Sequence, residues 1–416
     1  MKTRFARFLS VACLAGCSAE TVVEPNGQTT QAARAIPSTS GGISTLTPPN
    51  GWGPSVAPPD APPNVADEPS GGGAHRSENN GVPVNDPSAR TEPPGDPMEI
   101  ADAAMEPRDA SEEWPFPSLG VKAIKTVFLI VLANKDWSSI RFSINAPYIN
   151  SLLWTWSSAF CEGYKNSFFT NVHPSVPNYQ LLEAGQTATS LAAANADPGV
   201  FNCARGVDHL TKQMDRAGLD WRSYQEGVKG RDEIEKCPLR QHENYVARHN
   251  PFLYFDDVSG SNCSDRYATN CLRHISPYLR LDTDLKNNSV ARYNFISPDQ
   301  CNNMHGGISC IQSRDQQIKA GDDWLRREVP RIMASDAYKD HGAIIITWDE
   351  GEWIPLFAEN NPIGMIVLSP DAANGPHDCT GLSHLSTLRT LQEIFFLFPK
   401  FLNGAAGVRD LAILFK

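Results

Sequence analysis

The chain has 416 residues, 41% of them apolar, with 47 Asp and Glu against 36 Lys and Arg for a net charge of −11. That length is ample for one large buried core. The acidic balance and the lack of any Lys/Arg cluster argue against nucleic acid as a partner, because gripping a phosphate backbone needs a basic face. At the start of the chain, Lys2, Arg4 and Arg7 precede an apolar run that ends Leu14-Ala15-Gly16-Cys17. This is the pattern of a signal peptide with a lipobox, cleaved just ahead of Cys17, which then carries the lipid. A short apolar start with no such role is the plain alternative; either way the run is too short to span a bilayer. The expectation is a bacterial lipoprotein exported to the cell envelope, and Ser18 after the lipidated Cys17 favours the outer membrane.

Residues 18–119 hold more than half of the 32 prolines, with Gly, Ser, Ala and acids and few large apolar side chains. Such a segment cannot bury a core and reads as a disordered linker. As a flexible coil of about 100 residues it spans roughly 55 Å, enough to hold a domain clear of a lipid surface. No amphipathic pattern marks it as a binding segment.

Residues 120–416 read as one α/β domain in which strands and helices alternate. TVFLIVLA (126–133), RYNFIS (292–297), AIIITW (343–348) and IGMIVL (363–368) read as core strands. Helices are expected over 147–157, 207–217, 317–334 and 384–396. The stretch 227–289, rich in Arg, Asn and Asp, reads as an irregular insertion or cap. Ten cysteines include Cys13 in the signal and Cys17, leaving eight in the domain. An even number in an exported chain favours disulfides, with Cys301–Cys310 and Cys263–Cys271 expected from proximity, and no C-x-x-C pair suggests structural zinc.

Polar groups follow the carboxyl ends of these strands: Asn134 after the first, His305 after the second, Asp349 and Glu350 after the third. That edge is where α/β sheets bind ligands, and acids there imply a cation or a proton. Each has a plainer reading as a turn or loop residue. In NVHPSVPNY (171–179), Pro174 and Pro177 bracket Ser175 at a helix start. There its hydroxyl, free N–H groups and the positive helix end would converge on an anion, although serine is also an ordinary N-cap.

HPSVPNYQLLEAG, GLDWRSYQEG, ARHNPFLYFDDV, RYNFISPDQCNNMH, GDDWLRREVPRIMAS, AIIITWDEGE and SHLSTLRTLQEIF resemble, in that order, the successive motifs of the bacterial phosphoesterase family. That family includes phospholipases C and acid phosphatases and belongs to the alkaline phosphatase-like superfamily. The likeness runs from Val127 to Phe415. It implies a three-layer α/β/α sandwich with a mostly parallel central sheet, and hydrolysis of phosphate mono- or diesters through a serine nucleophile and a divalent metal ion of unspecified identity. By the resemblance, Ser175 matches the nucleophile and a metal contact, and Asp349 and Glu350 match metal ligands. Asn134 matches the asparagine at metal and phosphate, His249 and His305 match histidines that contact phosphate or assist the leaving group, and His384 matches a further site histidine near the metal. The implied partners are a phosphorylated small molecule or a phospholipid, with the membrane reached only through the lipid anchor and the protein a monomer.

One departure stands out. The family's first strand usually ends Glu-Asn, whereas this chain has Ala133-Asn134. Losing an anionic ligand weakens the hold on a hard divalent cation. Two readings stay open: an active phosphoesterase, and a catalytically impaired relative that binds a phosphorylated or lipid ligand. Asp136 stands two residues further on, its direction undetermined by sequence.

Overall fold

The computed structural model describes residues 119–155, 157–168, 172–187, 196–352 and 360–416. The expected signal peptide, Cys17 and nearly all of the expected linker lie outside the described residues. Eight strands make one sheet: β1 (Thr126–Leu132), β2 (Ser158–Glu162), β3 (Trp221–Gln225), β4 (Ile275–Pro277), β5 (Tyr293–Ser297), β6 (Gly342–Trp348), β7 (Met365–Leu368) and β8 (Gly375–Asp378). Their order across the sheet is β4-β3-β5-β1-β6-β7-β2-β8. All neighbours run parallel except β7, which is antiparallel to both β6 and β2. β1 and β6 are buried at every residue, so both faces of the sheet are covered, as in an α/β/α sandwich. One helical group joins His384–Ile394 to Ser175–Ala184 and Leu119–Ala123; another joins Arg314–Met333 to Pro147–Leu152 and Asp336–Lys339.

The four expected strands are present within a residue or two, but IGMIVL enters as the antiparallel β7, a direction that burial alone does not encode. β2, β3, β4 and β8 were not expected. β4 has three residues, and β8 reads Gly-Pro-His-Asp on the sheet edge, so neither carries an apolar period. The 227–289 stretch is more regular than expected, since it supplies β4 and three short helices, Asp256–Ser259, Thr269–His274 and Arg280–Lys286. The long helix begins at Arg314, three residues before its expected start, because Ser313 and Gln316 close a reciprocal capping box.

All eight cysteines of the domain are paired: Cys161–Cys379, Cys203–Cys263, Cys237–Cys271 and Cys301–Cys310. The last was expected. The expected Cys263–Cys271 link is overturned, because nearness in sequence does not bring these two together. Cys271 turns inward from its helix toward Cys237, whose N–H bonds the Arg266 carbonyl. Cys263 instead meets the 199–205 segment, where Arg205 Nε also bonds the Ser261 carbonyl at 3.0 Å.

Register positions the polar groups. β1 and β6 pair with Leu132 opposite Trp348, and the Asp349 N–H donates to the Leu132 carbonyl at 2.9 Å. Asn134 and the Asp349-Glu350 pair therefore leave the sheet side by side. β5 lies on the other flank of β1, and the Ala133 N–H donates to Asn303 in the loop after β5, at 2.8 Å.

Candidate active site

Ser175 is the first residue of its helix, with Pro174 as the N-cap, so the ordinary N-cap reading does not hold. Its hydroxyl donates to Glu350 Oε1 at 3.2 Å. Glu350 is the hub of this half of the site. Oε1 also accepts from Asn134 Nδ2 at 3.0 Å, and Oε2 accepts from Asn178 Nδ2 at 2.9 Å and from His173 Nδ1 at 3.0 Å. Four donors from two stretches of the chain, Asn134 and the 173–178 motif, thus converge on one buried carboxylate, and such fully paired networks fix geometry. His173 and Asn178 had no assigned role from sequence, although both lie inside the 171–179 motif. Spacing could have flagged Asn178, which sits one turn from Ser175 on the same helix.

Asn134 has φ +53, a left-handed backbone that Asn tolerates better than most residues. Its N–H donates to Asp349 Oδ1 at 3.1 Å, and the Glu350 N–H donates to the same oxygen at 2.7 Å. Lys135 Nζ holds the Asn134 carbonyl at 3.0 Å and Gln317 Oε1 at 3.0 Å. Burial brings the Lys135 ammonium down to about 8, against the opposing pull of Glu352, Asp349 and Asp136. Asp349 is fully buried, and burial followed by the adjacent Glu350 charge pushes its carboxyl well above the usual range. Contacts from Ser175 and the two N–H groups pull the other way.

His249 is buried in a short 3-10 turn, Ala247–His249, with its ring 5.5 Å from that of Tyr179, one turn along from Ser175. Asn303 Oδ1 accepts from the His305 N–H at 2.9 Å, which turns Asn303 Nδ2 toward His249 Nδ1 at 3.1 Å. Burial, then the charges of His305 and Arg248, hold His249 well below its ordinary value. A neutral ring whose Nδ1 accepts carries its proton on Nε2, which is then a donor. His305 is exposed, its ring 6.1 Å from that of His249, and its Nδ1 donates to the Gly306 carbonyl at 2.7 Å. With Nδ1 donating, a neutral ring keeps its lone pair on Nε2.

His384 is placed differently from expectation. Its Nε2 donates to the Asp349 carbonyl at 2.7 Å, and its Nδ1 faces the Tyr164 hydroxyl at 3.0 Å. Burial lowers it to about 4, keeping it neutral. With both ring nitrogens engaged it offers no lone pair to a metal, and it acts on the site by fixing the backbone of Asp349. Asp136 is also accounted for. It accepts from the Glu352 N–H at 2.9 Å and from Asn361 Nδ2 at 3.0 Å, so its carboxylate ties Glu352 to Asn361 and does not replace the missing acid at Ala133.

Comparison with known proteins shows the family. A profile of the Phosphoesterase family matches residues 153–398, more than half of the chain. The chain belongs to that family. A probable acid phosphatase from Kluyveromyces lactis is 24% identical over 278 residues, covering 65% of this chain and 58% of that protein. An acid phosphatase from Aspergillus fumigatus is 24% identical over 303 residues, covering 71% and 59%. A phosphatidylinositol-3-phosphatase from Mycobacterium tuberculosis is 23% identical over 303 residues, covering 71% and 87%. The match thus spans less than two thirds of the length of the two fungal proteins. Among solved structures, a Vibrio parahaemolyticus protein described as belonging to the alkaline phosphatase superfamily aligns with TM-score 0.43 at 11% identity, covering 65% of this chain and 66% of that one.

The donor chemistry of the site fits a hard divalent cation. Two buried acceptors beside Glu350, Asp349 Oδ2 and Asn134 Oδ1, have no hydrogen-bond partner. Buried orphan oxygens of this kind call for a positive charge. Among the described residues no three His, Cys, Asp or Glu side chains converge as a metal cage. The donor set is accordingly carboxylate, amide and hydroxyl oxygen, and it is lean in charge, since position 133 contributes only a buried methyl group.

Proposed function

We propose that the chain is a tethered phosphoesterase of the alkaline phosphatase-like superfamily, hydrolysing phosphate mono- or diesters with Ser175 as nucleophile. The observation that carries this reading is the Ser175 hydroxyl at a helix start, hydrogen-bonded to Glu350 beside the two orphan oxygens of Asp349 and Asn134. Fungal relatives described as acid phosphatases, and a mycobacterial one described as a phosphatidylinositol-3-phosphatase, support a phosphate-ester substrate. Substrates would be a phosphorylated small molecule or a phospholipid.

In this mechanism Ser175 Oγ attacks phosphorus as its proton passes to the Glu350 carboxylate it faces, forming a phosphoserine as the alcohol departs; water then releases phosphate from a monoester, or the remaining phosphomonoester from a diester. Free N–H groups of the first helical turn, at the positive end of the 175–184 helix, face the phosphoryl oxygens. His249 donates Nε2–H to a phosphoryl or leaving oxygen, and exposed His305 exchanges the leaving-group proton with solvent. A divalent cation bound by Asn134, Asp349 and Ser175, with Glu350 at its border, would lower the serine pKa and offset phosphoryl charge. His384 serves that site indirectly, through the Asp349 carbonyl.

The buried methyl of Ala133 favours the second reading, an impaired relative that keeps ligand binding. Turnover of a chromogenic phosphomonoester and of a phosphocholine diester, measured against added divalent ion, separates the two. Turnover that is low but rises with the ion supports the enzyme, and none at any concentration supports the binding module. Ala133→Glu should then tighten metal binding by at least the roughly 10-fold that outer-shell partners are worth, raising turnover with it. A folded variant with unchanged metal affinity and no activity would defeat the enzyme reading.

Export and lipidation at Cys17 belong to the same proposal, supported by four disulfides that suit an oxidising compartment. Radiolabelled fatty acid should enter the wild type and be absent from Cys17→Ser. Equal labelling of both would refute the anchor.

A further inference from the structure

His209, just ahead of the Leu210–Arg216 helix, is fully buried and plays no part in the chemistry above. Its Nδ1 is 3.1 Å from Glu183 Oε1, and its Nε2 is 3.0 and 3.2 Å from the two Asp257 oxygens. A neutral imidazole has one N–H and one lone pair, so it can donate to only one of these carboxylates. The doubly protonated ring donates to both. Thr211 fixes Glu183 further, its N–H and hydroxyl donating to Oε1 at 2.8 and 2.6 Å, and its hydroxyl lies 3.1 Å from His209 Nδ1. Phe255 stacks on the imidazole at 3.9 Å. Lys212 acts on Asp257 while its ammonium caps the Val207 carbonyl, and buried Tyr293 faces Glu183 as a neutral phenol.

The two carboxylates belong to the two parts of the candidate site. Glu183 lies in the last turn of the helix that Ser175 begins. Asp257 lies in the Asp256–Ser259 helix, which follows the 3-10 turns Ala247–His249 and Pro251–Tyr254. We propose that His209, as a buried imidazolium, is a positioning residue that ties the nucleophile helix to the segment carrying His249, so that alignment and stability are greatest at acid pH.

Burial opposes the charge, but hydrogen bonds donated to Asp257 and then to Glu183 outweigh it and raise His209 above its ordinary 6.5. A raised folded-state value makes the contribution complete below about pH 6.5, and it fades as pH climbs through that higher value. The stability half of this proposal stands alone, and the alignment half rests on the phosphoesterase reading.

Nitrogen-15 spectra of histidine-labelled wild-type protein at pH 7 should place His209 with both ring nitrogens protonated. Its thermal midpoint should fall between pH 6.5 and 9 more steeply than that of His209→Gln. Asp257→Asn, which removes one carboxylate, should move that fall about one pH unit lower. With a soluble phosphomonoester, His209→Gln should flatten the alkaline decline of kcat. A singly protonated His209 ring in the wild type would overturn the clamp whether or not the variants fold. A His209→Gln melting profile with wild-type pH dependence would do the same, and an unchanged kcat profile would overturn the alignment role. A wild type inactive on every ester counts against the phosphoesterase reading alone, because spectrum and melting curve still decide the clamp.

Discussion

Ser175→Ala should abolish ester hydrolysis, lowering kcat on a chromogenic phosphomonoester by on the order of 10⁴-fold or more, as removal of a covalent nucleophile does in other hydrolases. The fold should hardly notice. Ser175 is the first helical residue rather than the cap, and alanine is an excellent helix former. Only one of the four donors on Glu350 is lost, the 3.2 Å contact from the hydroxyl, worth about 1 kcal/mol. Substrate analogues should still bind, since the helix N–H groups, His249 and His305 remain. Phosphate-dependent melting of the variant checks this separately from turnover. A Ser175→Ala protein that folds and keeps even a tenth of wild-type turnover would remove Ser175 from the chemistry and leave the site without a nucleophile.

Glu350→Gln should lose both activity and stability, for a reason internal to the hub. Each carboxylate oxygen faces an asparagine amide as donor, Asn134 Nδ2 on Oε1 and Asn178 Nδ2 on Oε2. A glutamine must place its own NH₂ toward one of them, so whichever way it turns, two donors meet in a buried site. Leaving one such group unsatisfied costs about 1–3 kcal/mol. For a domain of this size that is a fall in thermal midpoint of roughly 2–5 °C. Turnover should drop by about 10²-fold or more, because Ser175, Asn134, Asn178 and His173 all lose a common anchor. Differential scanning calorimetry beside a metal titration tests it. A variant with the wild-type midpoint would mean that the four contacts do not act as a unit.

The parts of this protein that were legible in its sequence are those whose chemistry is local. β1 and β6 are unbroken apolar runs, and such runs announce central strands. Asn134, Asp349 and Glu350 could be placed on one edge because strand ends are readable once the strands are. β8, with Gly-Pro-His-Asp on an edge, has nothing to announce, and the antiparallel sense of β7 depends on connections elsewhere in the chain. The same division runs through the site. The place of Ser175 at a helix start was legible from its bracketing prolines, whereas the hydrogen bonds of His384 were not. Whether a histidine gives its lone pair to a metal or its N–H to a carbonyl depends on the neighbours of both nitrogens, here Tyr164 and the Asp349 carbonyl. Cys263 and Cys271 make the same point about distance, since each finds its partner across the fold rather than along the chain.

The four bridges are unevenly spread, and this divides the site into two halves that would fail under different conditions. Cys203–Cys263, Cys237–Cys271 and Cys301–Cys310 all fall within the stretch that carries His249 and His305. Ser175, Asn134, Asp349 and Glu350 are held by strand register and buried hydrogen bonds, with no cysteine among them. Made in a reducing cytosol, the chain would assemble its nucleophile and acids and leave its proton donors slack. It would be competent to take up an ion yet poor at expelling an alcohol. Closing those three bridges would then firm the half of the site that carries the two histidines, independently of the half that carries the carboxylates.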